Sequence, residues 1–133
     1  MKENVFRKRK LFVLIAVTIS LLFLVAGCQS NSPAQKRYKK IKEEIVDSLY
    51  LPDSFEVQSV SCYEGILQNY DVGAKYPFQY KITYKSKNRL GMDLYSVEYF
   101  GYNDETGSIK KYGEDSKEYD SAKSLGTEQK VKK

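Results

Sequence analysis

Phe78, Tyr80, Ile82 and Tyr84 alternate with Gln79, Lys81, Thr83 and Lys85. Successive side chains of a strand point to opposite sides, so this stretch reads as a strand with one aromatic-apolar face and one polar face. Such a strand cannot stand alone: its apolar face needs neighbours in a sheet and a cover above it. The flanking sequence offers the neighbours. Phe55 to Tyr63 reads as a strand with mixed faces. Leu94 to Tyr102 sets Tyr95, Val97 and Tyr99 opposite Ser96 and Glu98, and Ser108 to Tyr112 reads as a short return strand. Lys87-Asn88-Arg89-Leu90-Gly91 and Asn103-Asp104-Glu105-Thr106-Gly107 are the turns between them, with Gly107 suited to a left-handed angle. Tyr80, Tyr84, Tyr95 and Tyr99 are expected in or beside the core. Glu64 to Pro77 carries Gly65, Asn69, Asp71, Gly73 and Pro77 and reads as loop, with Ile66-Leu67 adding a short element at most.

The cover comes from the preceding segment. Ser32-Pro33-Ala34-Gln35 has the form of a capping box, in which Ser32 accepts from the Gln35 amide and the Gln35 side chain reaches back. Pro33 falls at the first helical position, where its missing N–H is harmless. Tyr38, Ile41, Ile45 and Leu49 then follow at helical spacing on one face, with Val46 beside it, and Pro52 stops the run. The spacing predicts a helix over 33–50. Lys36, Arg37, Lys39, Lys40 and Lys42 come early in this helix and Glu43, Glu44 and Asp47 late, the reverse of what the helix dipole favours. Burial of the Ile/Leu face, not intrinsic propensity, must therefore hold it. The expected fold class is α+β: one N-terminal amphipathic helix packed on a small three- to four-stranded antiparallel β-meander, spanning 33–113. Residues 114–133 are polar apart from Tyr119 and a few small apolar side chains, and are expected to be a disordered or loosely helical tail.

The chain begins differently. Lys2, Arg7, Lys8, Arg9 and Lys10 precede an apolar run from Leu11 to Ala26 broken only by Thr18 and Ser20, and small residues then lead to Cys28. This is the three-part build of an export signal. Val25-Ala26-Gly27-Cys28 resembles the lipobox of bacterial lipoprotein precursors. The resemblance implies that residues 1–27 are a signal peptide cut off between Gly27 and Cys28, and that the Cys28 thiol carries a diacylglyceryl group. Residues 28–32 are then a lipidated tether, and the chain is held on the extracytoplasmic face of the cell membrane. An uncleaved transmembrane helix is the alternative reading of the apolar run. A cluster of cations so close to a lipid anchor suits anionic headgroups, which makes Lys36, Arg37, Lys39 and Lys40 the candidate membrane-surface contacts.

Export changes the meaning of the composition. The whole chain has 22 basic and 17 acidic residues, a formal charge of +5. Five of the basic residues and one acidic residue lie in 1–27, which leaves 17 against 16 and a charge of +1 for the remainder. That balance gives no reason to expect nucleic acid as a partner. The sequence has no His and no Trp, but 12 Tyr. Without His the commonest general base and the commonest metal ligand are missing, and no cofactor or metal is expected. If Cys28 carries lipid, Cys62 has no disulfide partner, and it reads as a buried core residue without a base to activate it. Asp104 and Glu105 read as turn residues rather than a catalytic pair.

The tyrosines at strand ends and in loops remain. Tyr63, Tyr70, Tyr76 and Tyr102 are the candidate partner-binding residues, on the segments 63–77 and 102–107, because rigid amphipathic rings suit protein contact. Helix, Pro52-Asp53-Ser54-Phe55 segment and short meander together resemble small Gram-positive surface lipoproteins. The resemblance implies no established activity; the residues themselves are read as a monomeric, non-enzymatic binding module for an envelope protein. The alternatives are an accessory of a cell-wall enzyme, a glycan-binding domain or a structural spacer, and a cleft holding Glu64, Asp71 or Glu98 would favour the first of these.

Overall fold

The computed structural model describes residues 32–65 and 75–133. The expected signal peptide, Cys28, Tyr70, Asp71 and the Ile66-Leu67 element lie outside the described residues. The first helix, α1, spans Pro33–Ser48 with Pro33 in its first turn and Ser32 as its N-cap, the Ser32 hydroxyl accepting from the Gln35 amide at 3.2 Å. The helix ends two residues earlier than the sequence predicted: Pro52–Ser54 form a separate short 3-10 turn. The other half of the capping box does not form. The Gln35 side chain instead grips the far end of the chain, its Nε2 donating to the Lys132 carbonyl at 3.0 Å and its Oε1 accepting from the Lys132 amide at 2.8 Å.

Five strands follow: β1 (Glu56–Glu64), β2 (Phe78–Lys87), β3 (Asp93–Tyr102), β4 (Ile109–Gly113) and β5 (Thr127–Gln129). They form one sheet in the order β4-β3-β2-β1-β5, with every neighbouring pair antiparallel. The fold is therefore α+β, but with one strand more than the predicted meander. Tyr80 stands opposite Cys62 on one side and Phe100 on the other, and Ile82 opposite Val60 and Glu98. Residues directly opposite share a face, so one face collects Val60, Cys62, Phe78, Tyr80, Ile82, Tyr84, Phe100 and Tyr102. The helix α1 covers that face: Tyr38, Ile41 and Ile45 belong to the same buried cluster, and Leu49 packs against it. The alternation in β2 thus does what its pattern required.

The C-terminal stretch departs from expectation. A second helix, α2, spans Lys117–Leu125, with Ser116 accepting from the Tyr119 amide, Glu118 and Asp120 in its first turn and Lys123 in its last. It lies on the sheet face opposite α1. Tyr119 is buried there, edge-on to Tyr63 and Tyr99 at 5.6 and 5.1 Å between ring centroids, and its hydroxyl is 2.6 Å from that of Ser61. The face expected to be polar and solvated is therefore covered at one end. The chain then passes the outer edge of β1 as β5 and delivers Val131 to the core cluster on the α1 side.

Candidate interaction surfaces

The residues expected to meet the membrane divide. Lys36, Lys39 and Lys40 are exposed on the first turns of α1. Arg37 is not a surface residue: it is 6% exposed, with its guanidinium 3.3 Å above the centre of the Phe78 ring and its Nε donating to the Asp104 carboxylate at 2.8 Å. Burial pulls its pKa down, but hydrogen bonds to Asp104 and Tyr80 outweigh this, and the net shift is upward. Arg37 thus joins α1 to the β3–β4 turn. That turn is ordered by Asn103, whose Oδ1 accepts from the Glu105 and Thr106 amides, and Gly107 takes a φ of 66°.

The candidate partner-binding tyrosines divide as well. Tyr102 is 3% exposed and belongs to the core; its position at the end of β3 places it on the α1 face, not in the loop. Tyr63 is half-buried against Tyr119. Tyr76 is half-buried, and its carbonyl accepts from Gln79 at 2.6 Å. Tyr80 and Tyr84 are buried, whereas Tyr95, expected beside the core, is 73% exposed.

Among the described residues, the chemistry-bearing groups do not converge. Cys62 is fully buried, and burial pushes its thiol up to about 11, beside the Tyr80 hydroxyl, whose own pKa burial also raises. Tyr80 donates to the Ala34 carbonyl at 2.9 Å, a contact between sheet and helix. Glu98 is paired with Lys111 at 2.6 Å, while Glu64 is exposed and accepts from Gln129. No hydrogen bond or ion pair joins the two acids. Among the described residues there is no cluster of His, Cys, Asp or Glu that could hold a metal ion, and no helix long and apolar enough to cross a membrane.

Exposed large apolar side chains, by contrast, gather on one hairpin and its neighbour, with Leu125 at the end of α2 the exception among the described residues. Leu90 (80% exposed), Met92 (55%) and Leu94 (47%) lie with Tyr95 on the β2–β3 hairpin. Tyr50 and Leu51, also exposed, follow α1, and Arg89 from the hairpin stands 4.9 Å from the Tyr50 ring. Ser54 ties the two segments by accepting from the Lys87 amide at 2.8 Å. Sequence reasoning read Leu90 only as a turn residue and made no use of Met92. The available signal was two large apolar side chains flanking Gly91 in a turn, where nothing needs them for packing. No protein-family model, curated protein or solved structure matches the chain.

Proposed function

We propose that the chain is a lipoprotein of the extracytoplasmic face of the cell membrane, anchored through Cys28, and that it works as a non-enzymatic binding module for an envelope protein. The anchoring part rests on Val25-Ala26-Gly27-Cys28 behind its basic and apolar segments. The exposed Lys36, Lys39 and Lys40 support it, since they follow the tether directly and each cation near an anionic surface contributes about 1 kcal/mol. The binding part is carried by one observation: of the seven large apolar side chains exposed among the described residues, all but Leu125 (Tyr50, Leu51, Leu90, Met92, Leu94 and Tyr95) lie on the β2–β3 hairpin or on the segment after α1 that it contacts. Exposed apolar side chains gathered on one hairpin of a small domain suit an interaction site. This group lies at the C-terminal side of α1, about 24 Å along a 16-residue helix from the tether. The buried Cys62 thiol, held far from its thiolate form, supports a non-enzymatic role.

The test is co-purification. Full-length chain extracted from membranes in mild detergent is expected to bring down an envelope protein saturably, whether a different chain or a second, untagged copy. The double variant Leu90→Ser, Met92→Ser is expected to lose that protein while still melting cooperatively. Equal recovery with the folded variant, or retention by purified cell wall alone, contradicts the reading.

A further inference from the structure

The strand β3 is covered unequally. On one side β2 pairs with it over its whole length, from Asp93 to Tyr102. On the other side β4 reaches only Tyr99 to Tyr102. Among the described residues, Asp93 to Glu98 are therefore an open sheet edge. Two hydrogen bonds fix which backbone groups face it. The Asn88 amide donates to the Met92 carbonyl across the β2–β3 hairpin, and the Asn103 amide donates to the Ser108 carbonyl across the β3–β4 turn. Bonding direction alternates along an antiparallel strand. Even-numbered residues of β3 thus bond inward to β2, and the N–H and C=O groups of Asp93, Tyr95 and Val97 point outward.

Natural sheets blunt such edges with bulges, prolines or lysines. The outer stretch of β1 carries a register irregularity between Val57 and Ser59, and β4 is short and has Lys110 and Lys111. From Asp93 to Glu98 there is no Lys, no Pro and no irregularity in the pairing with β2. Two large apolar side chains, Leu94 and Tyr95, are exposed along it. A protein occupant that replaces water along this row of outward amides and carbonyls is an extended strand.

We infer that this occupant is the β3 strand of a second copy of the chain, paired antiparallel across a two-fold axis at Tyr95. This deepens the reading of the protein as a tethered binding module and rests on it for the orientation argument below. An isologous contact requires a self-complementary patch, and this edge is one. With Tyr95 opposite its own mate, the outward groups of Asp93 meet those of Val97 in the second copy. Leu94 then stands opposite Ser96 and Met92 opposite Glu98. No two like charges face each other, and the two Tyr95 rings lie side by side on one face. The axis of such a pair runs normal to the sheet, so α1 of both copies lies on the same side. Both tethered ends can then enter one membrane. Confinement to a membrane surface raises the effective concentration of the second copy.

Disulfide trapping in isolated membranes with the full-length chain tests the pairing. Cys62 is buried and does not compete. Under mild oxidation Tyr95→Cys is expected to give a covalent product of twice the chain mass, and Lys123→Cys, exposed on α2, none. Adding Val97→Pro removes one outward amide from each copy and is expected to cut the Tyr95→Cys product about tenfold. Tyr95→Lys, without an added cysteine, sets two cations at the axis and covers the case in which Val97→Pro does not fold; it is expected to abolish the dimer seen by native mass spectrometry. Equal cross-linking at positions 95 and 123, a dimer indifferent to both edge variants, or a product of any other mass overturns the proposal. Fractionation keeps the two readings apart. A membrane-bound chain without the dimer refutes the edge pairing, whereas a dimer recovered only in the soluble fraction refutes the anchor.

Discussion

Arg37 sits between Lys36 and the pair Lys39-Lys40 in α1, and nothing in its immediate neighbours separates it from them. Its spacing does: Ala34, Arg37, Ile41 and Ile45 are all buried and fall on one helical face. The periodicity was legible, but the partner that makes burial tolerable was not, because Asp104 is 67 residues away. A desolvated cation is tolerated only when paired, and here the pair is capped by the Phe78 ring. Asp104→Ala strands the guanidinium, since the Arg37 side chain is 7% exposed while that of Asp104 is half exposed. Urea unfolding is expected to show a loss of about 1–3 kcal/mol; no loss would mean that the stack on Phe78 suffices. Cys62 was legible as a buried residue, and it makes a second prediction. Its unfolded thiol ionises near 9.0 and its folded thiol near 11. Between those values the folded state holds the extra proton, so stability falls as pH rises and is unaffected below the window. Cys62→Ala is expected to flatten the decline between pH 9.0 and about 11, and an unchanged slope would show that the buried tyrosines alone cause it.

The elements differ in how they announce themselves. The helix α1 and the strand β2 carry helical or period-two spacing and could be read directly; β3 was legible as a strand but its core side was not, since Phe100 and Tyr102 face α1 while Tyr99 meets Tyr119 of α2 on the other side. The helix α2 has a thin signal of that kind, since only Tyr119 and Ala122 of its nine residues are buried. Its local cues were present all the same: Ser116 as cap, acids in the first turn, Lys123 in the last and Gly126 after it. The strand β5 is three residues long and has no pattern to read; it exists because α2 delivers the chain to the edge of β1. Gly126 is the joint. A Cβ there would collide with the backbone carbonyl of Glu64 and stand 2.5 Å from that of Ala122, neither of which can give way easily. Gly126→Ala is expected to lift β5 and the end of α2 from β1, raising amide exchange in 117–129 ahead of the core. Uniform protection in the variant would mean that the tail holds without this close approach.

At the scale of the molecule, the sheet separates two kinds of surface. Exposed lysines cluster on the first turns of α1, and most of the exposed large apolar side chains lie beyond its other end. The lysines were legible because charge is written in composition. The apolar end was not, because it is assembled from Tyr50 and Leu51 after the helix and from the β2–β3 hairpin, which only the sheet register brings together. Tyr102 was misread for the same reason: its register places it on the α1 face, where it is buried, whereas Tyr63 and Tyr76 are half-buried. The proposed anchor at Cys28 would lie eight residues before Lys36, the first of these lysines, in the sequence. The intact mass of the chain extracted from membranes tests that directly. The account predicts a species of residues 28–133 carrying a diacylglyceryl group, and its loss with accumulation of uncleaved chain in Cys28→Ser. A membrane-bound chain that retains residues 1–27, or an unmodified Cys28, would contradict it.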